Sequence, residues 1–199
     1  MKKALIIVDV QNDFLPGGAL AVDDGDAIIP VINRIQKEFD IIAATQDWHP
    51  SNHGSFAVNH PGKNPGDTIE LAGLPQILWP VHCVQDSDGA AFDVRLDTSR
   101  IKRVFRKGTD NEIDSYSGFF DNGHRKDTGL ADWLKEQSVD TVYIAGLAAD
   151  YCVKFTALDA VDVGFKTYLY KNATKAVNLQ PDDFDKAIHE MVAAGVQMV

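Results

Sequence analysis

Six short apolar runs punctuate the chain, at residues 4–8, 41–44, 77–79, 101–105, 141–145 and 166–170, and between several of them the apolar positions follow a helical period. Short runs rich in β-branched side chains and apolar throughout predict strands buried on both faces, and the longer period predicts crossover helices. Helices are expected over residues 25–38, with Pro30 near the first turns, 129–137, 152–163 and 181–194, the last opened by Asp182 and Asp183, whose charge suits a helix start. Strands alternating with right-handed helical crossovers give a three-layer α/β/α sandwich around a doubly wound, mainly parallel six-stranded sheet. Such sheets bind ligands beyond the carboxyl ends of their strands, so the residues just past each strand carry the chemistry.

The segment from Trp48 to Gln76 breaks the pattern: it is rich in Gly, Pro, Asn and His, and reads as an extended loop. Loops of that length in a compact domain are uncommon and tend to be functional. With no internal repeat or low-complexity tract, residues 1–199 are expected to form one domain, the loop occupying about 47–76.

Charge narrows the partners. Nineteen basic against twenty-nine acidic residues give a net charge of −10, which repels nucleic acid and anionic membrane surfaces on average. The basic start and apolar run from Met1 to Val8 are stopped by Asp9, too early for a signal-peptide core or a membrane span. A cytoplasmic protein, monomeric or homo-oligomeric, is expected. The two cysteines, Cys83 and Cys152, do not make a disulfide framework, and both are expected to be free.

Three predicted strand ends carry ionisable groups. Cys152 follows the run 141–145 and the turn Gly146-Leu147-Ala148-Ala149-Asp150-Tyr151, and it opens a predicted helix. There, free N–H groups and the helix dipole favour a thiolate. Taken alone it is also a small buried hydrophobe. Asp9 ends the first run and is either a loop cap or an acid/base group. Lys107 ends the fourth run before Gly108, which lets the chain turn sharply; taken alone it is a solvated charge. Together the three make a nucleophile, its proton acceptor and a cation that holds both charges.

Asp47 and His49 flank Trp48 after the second run, and side chains two apart on an extended chain point the same way. They form either a loop hydrogen bond or two ligands of one ion, to which His82, at the end of the segment 77–81, would add a third from another strand end. Such a set leaves positions open for water or substrate. Cys83 follows His82 directly, and adjacent strand residues face opposite ways, so Cys83 reads as packing.

The motifs Asp9-Val10-Gln11-Asn12-Asp13-Phe14, Asp47-Trp48-His49-Pro50, Trp79-Pro80-Val81-His82-Cys83-Val84, Lys107-Gly108, Tyr116-Ser117-Gly118-Phe119 and Gly146-Leu147-Ala148-Ala149-Asp150-Tyr151-Cys152-Val153, in this order, resemble the nicotinamidases of the isochorismatase-like cysteine hydrolase superfamily. The resemblance runs through nearly the whole chain. It implies that Asp9, Lys107 and Cys152 form a catalytic triad, that the N–H groups of Ala148 and Cys152 form an oxyanion hole, and that the Leu147–Ala148 peptide is cis. It implies one divalent ion, zinc with iron or manganese as alternatives, on Asp47, His49 and His82; the family varies at the position of His53, which is left open between a fourth or water-mediated ligand and no ligand. It further implies a pocket walled by Phe14, Leu20, Trp79 and Tyr116, the last two also readable as core aromatics. The implied reaction is hydrolysis of nicotinamide, and of its ring analogue pyrazinamide, in NAD salvage, with the ion gripping the ring nitrogen rather than making the nucleophile. Chelation is then expected to weaken binding more than it alters the thiol.

Two rival readings remain at the level of sequence. A relative acting on a carbamoyl or ureido substrate would share the triad and generally lack the Asp-x-His and distal His set. A non-catalytic binding module would have no reason to keep all three ionisable groups. A thiol redox protein is disfavoured by the absence of a Cys-x-x-Cys pair.

Overall fold

The computed structural model describes residues 2–199; Met1, at the basic start of the chain, lies outside the described residues. Among these residues eight strands form: β1 (Lys3–Val8), β2 (Ile41–Asp47), β3 (Thr68–Leu71), β4 (Leu74–Ile77), β5 (Arg103–Lys107), β6 (Thr141–Leu147), β7 (Lys166–Lys175) and β8 (Gln197–Met198). Six build one sheet in the order β5-β2-β1-β6-β7-β8, and every neighbouring pair in it is parallel. The chain steps outward from β1 to β2 and β5, returns to β6, then steps outward the other way. The topological switch therefore falls at β1 and β6, where doubly wound sheets open their ligand crevice.

The period of two in β1 divides the core. Ala4, Ile6 and Val8 face one cluster, shared with α2 (Leu130–Glu136), α3 (Cys152–Asp162) and α4 (Asp183–Ala193). Leu5 and Ile7 face the other, closed by Ile28, Ile32, Ile35 and Phe39 in and around α1 (Ile29–Ile35). All five are fully buried, and burying one Ile or Leu side chain contributes about 1.5–3 kcal/mol. A strand sealed on both faces has no room for polar alternation, which is why these runs read as continuously apolar.

Two expectations need correction. The run 77–79 is not a sheet strand: β3 and β4 pair antiparallel in a separate hairpin, and Trp79 makes only an isolated bridge with Phe56. Pro75 and Pro80 bracket it, and proline cannot donate to a ladder. The sixth place in the main sheet goes instead to β8, only two residues long, reached through Gly195 in the left-handed region (φ 103°). Nor is the segment 48–76 simply extended, since it holds a helical turn at Ala57–Asn59, strand β3 and most of β4. Its anchors are the buried Phe56 and, just beyond it, Leu78.

Candidate active site

Strand β1 ends at Val8, and Asp9 turns the chain with φ 47°, an uncommon conformation for a residue with a side chain. On the neighbouring strand Gly146 has φ 126°, and a Cβ there would lie 2.0 Å from the Val8 carbonyl oxygen. Only glycine lets β6 pass this close to β1. After it come the cis Leu147–Ala148 peptide, the turn through Tyr151 and Cys152 as the first residue of α3. No side chain caps α3, and among the described residues neither the Ala148 nor the Cys152 N–H donates to another backbone carbonyl. Both remain available to an oxygen in the cleft.

Lys107 closes β5 two strands away from β1, and its buried side chain crosses the end of β2. Its Nζ lies 2.9 Å from Asp9 Oδ2, 2.5 Å from Asp47 Oδ1, and donates to the Ser115 carbonyl at 3.0 Å and to Cys152 Sγ at 3.4 Å. Asp9 and Asp47 each bring a carboxylate oxygen within 4.8 Å of the Cys152 sulfur, and Asp9 accepts from Thr45 Oγ1 at 2.6 Å. The three side chains named from separate strand ends thus meet in one buried cluster.

Two carboxylates share one ammonium here, and that fixes the protonation pattern. Burial pushes the Cys152 thiol well up, Lys107 offsets this only in part, and the Asp9 and Asp47 charges add to it. The helix start alone therefore does not leave a resting thiolate, contrary to the expectation from its position. Burial also raises Asp9, against the pull of Lys107 and with the push of Asp47. For Asp47 burial is outweighed by Lys107 and the nearby imidazoles, which hold it far below the usual carboxylate range. Burial acts to lower Lys107, yet the two carboxylates keep it well above its ordinary value. The cluster sets a thiol pushed up by burial beside a carboxylate whose proton affinity is also raised, an arrangement suited to moving one proton between them.

The far oxygen of Asp47 faces a second group. Its Oδ2 is 3.6 Å from His49 Nε2 and 3.9 Å from His82 Nε2, and the three ligand atoms lie within 4.8 Å of one another. His49 Nδ1 contacts the Gly108 carbonyl at 2.9 Å and His82 Nδ1 the Pro80 carbonyl at 2.8 Å. A carbonyl only accepts, so each Nδ1 carries the hydrogen and each Nε2 turns its lone pair toward Asp47, as cation ligands require. Burial and His49 push His82 down to about 4, which keeps it neutral and ready to ligate. Gly108, with φ 63°, lets this happen: a Cβ there would sit 2.3 Å from the His49 ring. The donor set fits a divalent ion.

His53 sits differently. Its Nδ1 accepts the Ser55 N–H at 3.2 Å, so the hydrogen belongs on Nε2, a buried atom without a hydrogen-bond partner. It groups with His49 and Asp114 rather than with the Asp47 set. His82 comes from a bend after Pro80, not from a strand end as expected. Cys83 is fully buried in the core beside it, with φ 46°, so strand alternation is not what separates it from His82.

Between the two groups opens a cleft of about 360 Å³, lined by Phe14, Leu20, Trp79, Tyr116, Ala148, Cys152 and the cation ligands. Trp79 Nε1 donates to the Tyr116 hydroxyl at 3.1 Å, so these aromatics are wall rather than core filling. Tyr151, Val177 and Asp114 line it as well and were not foreseen. Tyr151 stands beside the nucleophile in its motif and was within reach of sequence reasoning; Val177 and Asp114 arrive from loops that only the tertiary fold brings in. Thr45 was equally legible, being two residues before Asp47 on the same face of β2, but its partner on β1 was not.

Residues 3–199 match the family model described as the isochorismatase domain. The chain belongs to the isochorismatase family. It is 48% identical over 200 residues to a nicotinamidase of Escherichia coli (strain K12), covering 98% of this chain and 93% of that one. It is 50% identical over 196 residues to a nicotinamidase of Acinetobacter baylyi, covering 98% and 91%. Among solved structures of the family, the Acinetobacter baumanii nicotinamidase and pyrazinamidase superposes with a TM-score of 0.97 at 48% identity, covering 100% of this chain and 95% of that one. The yeast nicotinamidase bound to the inhibitor nicotinaldehyde superposes with a TM-score of 0.92 at 34% identity, covering 99% of each. The Pyrococcus horikoshii pyrazinamidase in complex with zinc does so with a TM-score of 0.81 at 40% identity, covering 100% and 99%.

Proposed function

We propose that this isochorismatase-family protein is a nicotinamidase: it hydrolyses nicotinamide to nicotinate and ammonia through a thioester on Cys152, in NAD salvage, and also accepts pyrazinamide. The carrying observation is the meeting of Asp9, Lys107 and Cys152 on one side of the cleft with Asp47, His49 and His82 on the other. Full-length identity to nicotinamidases supports the substrate.

Asp9 takes the thiol proton as Sγ attacks the carboxamide carbon, and Lys107 compensates the charge that moves. The carbonyl oxygen becomes an oxyanion facing the Ala148 and Cys152 N–H groups. Asp9 returns the proton to the nitrogen, the C–N bond breaks and ammonia leaves. A water deprotonated by Asp9 then attacks the thioester carbon, the C–S bond breaks and the thiolate recovers the proton. Phe14, Leu20, Trp79 and Tyr116 clasp the ring. Asp47, His49 and His82 would hold the divalent ion, zinc in this reading, with His53 outside that set; when bound, the ion would supply a Lewis-acidic contact for the ring nitrogen. The reading is of a single cytoplasmic domain acting on a small molecule, with neither nucleic acid nor membrane as partner; among the described residues no helix is long and apolar enough to cross a membrane.

The deciding experiment measures ammonia release from nicotinamide by two variants. Cys152→Ala is expected to abolish turnover and Cys83→Ala to keep most of it. The reverse outcome would reassign the nucleophile.

A further inference from the structure

Strand β2 outruns its neighbour. The β1–β2 pairing ends at Ile7 and Ala44, while β2 continues to Asp47, which pairs on its other edge with Lys107 of β5. On the β1 side, the Asp47 peptide would face a strand that has already turned away at Asp9. Gln11 fills that place. Its side chain is fully buried, its Oε1 accepts the Asp47 N–H at 2.8 Å, and its Nε2 donates to the Asp47 carbonyl at 2.8 Å and to the Ala90 carbonyl at 2.9 Å. A carboxamide has the donor and acceptor of a peptide group, so this side chain adds one rung to the sheet where the backbone cannot.

We propose that Gln11 is a positioning residue for the cation site: by pairing with both polar groups of the Asp47 backbone, it holds that carboxylate with Oδ1 on Lys107 and Oδ2 facing His49 and His82. Asp47 serves three neighbours with two oxygens, Lys107 through Oδ1 and the two histidines through Oδ2, and a small rotation of its backbone would take one oxygen from its partners. The β5 edge alone leaves the other side of the strand end free to swing. Groups that orient a ligand from outside the coordination sphere typically change metal affinity by about tenfold to a hundredfold when removed.

The inference rests on the reading of Asp47, His49 and His82 as ligands, and the test separates the two. Protein stripped of metal is titrated with zinc ion in competition with a chromophoric chelator, and its urea unfolding midpoint is measured in parallel. Gln11→Leu, which removes both polar ends at similar length, is expected to weaken zinc binding by about tenfold to a hundredfold, with activity recovering at excess zinc. Gln11→Glu keeps the shape and one acceptor but turns an oxygen toward the Asp47 carbonyl; it is expected to weaken zinc in the same direction, and it decides the matter if the leucine variant does not fold. A lowered unfolding midpoint with zinc affinity unchanged in the folded variant would overturn the proposal, because Gln11 would then be structural only. Failure of the unaltered protein itself to take up zinc would instead overturn the reading of the ligand set.

Discussion

At the scale of single residues, the working groups are defined by what they share. Asp9 holds its proton more tightly than an ordinary carboxyl, chiefly through burial and despite Lys107. Because Asp9 acts as a base, activity falls as pH drops through its raised pKa, so the acid limb of the kcat/KM profile is expected at higher pH than a free aspartate would give. Thr45→Val removes the 2.6 Å hydrogen bond that favours the ionised form, and is expected to move this limb higher still while lowering kcat. A limb in the ordinary carboxylate range, indifferent to Thr45, would exclude Asp9 as the base. Lys107 sets its ammonium between two buried carboxylates, so Lys107→Met leaves like charges facing one another without compensation. Removing one partner of a buried ion pair costs about 3–5 kcal/mol, a loss to be read from urea denaturation. A variant as stable as the unaltered chain would mean the carboxylates find another partner.

At the scale of elements, closeness between β1 and β6 sets the site, because Asp9 and Cys152 follow from the ends of neighbouring strands. Gly146→Ala puts a methyl 2.0 Å from the Val8 oxygen at φ 126°, and is expected to destabilise by more than about 3 kcal/mol, the range of severe core strain. Thermal unfolding of the variant measures this; a small loss would show that β6 can shift without harm. The strands of the main sheet were legible wherever they are apolar throughout, as in β1, β2 and β6. Strands were illegible where the element is too short or too interrupted to show a period: β8 of the main sheet has two residues, and the separate β3–β4 hairpin alternates only weakly beside Pro75.

At the scale of the whole molecule, the cleft lies between the thiol cluster and the cation ligands, joined through the single carboxylate of Asp47. Chelation is expected to raise KM for nicotinamide more than it slows alkylation of Cys152 by iodoacetamide, since the ring-binding side is lost while Asp9 and Lys107 stay in place. An alkylation rate that falls as far as substrate affinity would show instead that Asp47 transmits the loss across to the nucleophile.

Sequence alone determined the parallel α/β/α class, because strands buried on both faces must be continuously apolar. It also placed Asp9, Asp47 and Lys107 at strand ends, though not His82, which the structure sets on a bend after Pro80. Order in the sheet belongs to the tertiary structure, and with it the facts that Lys107 reaches Asp9 past Asp47, that Thr45 and Gln11 find partners on adjoining segments, and that burial pushes the Cys152 thiol up despite its place at a helix start. Each of these depends on distances between segments remote along the chain, and on desolvation by neighbours that no local spacing encodes.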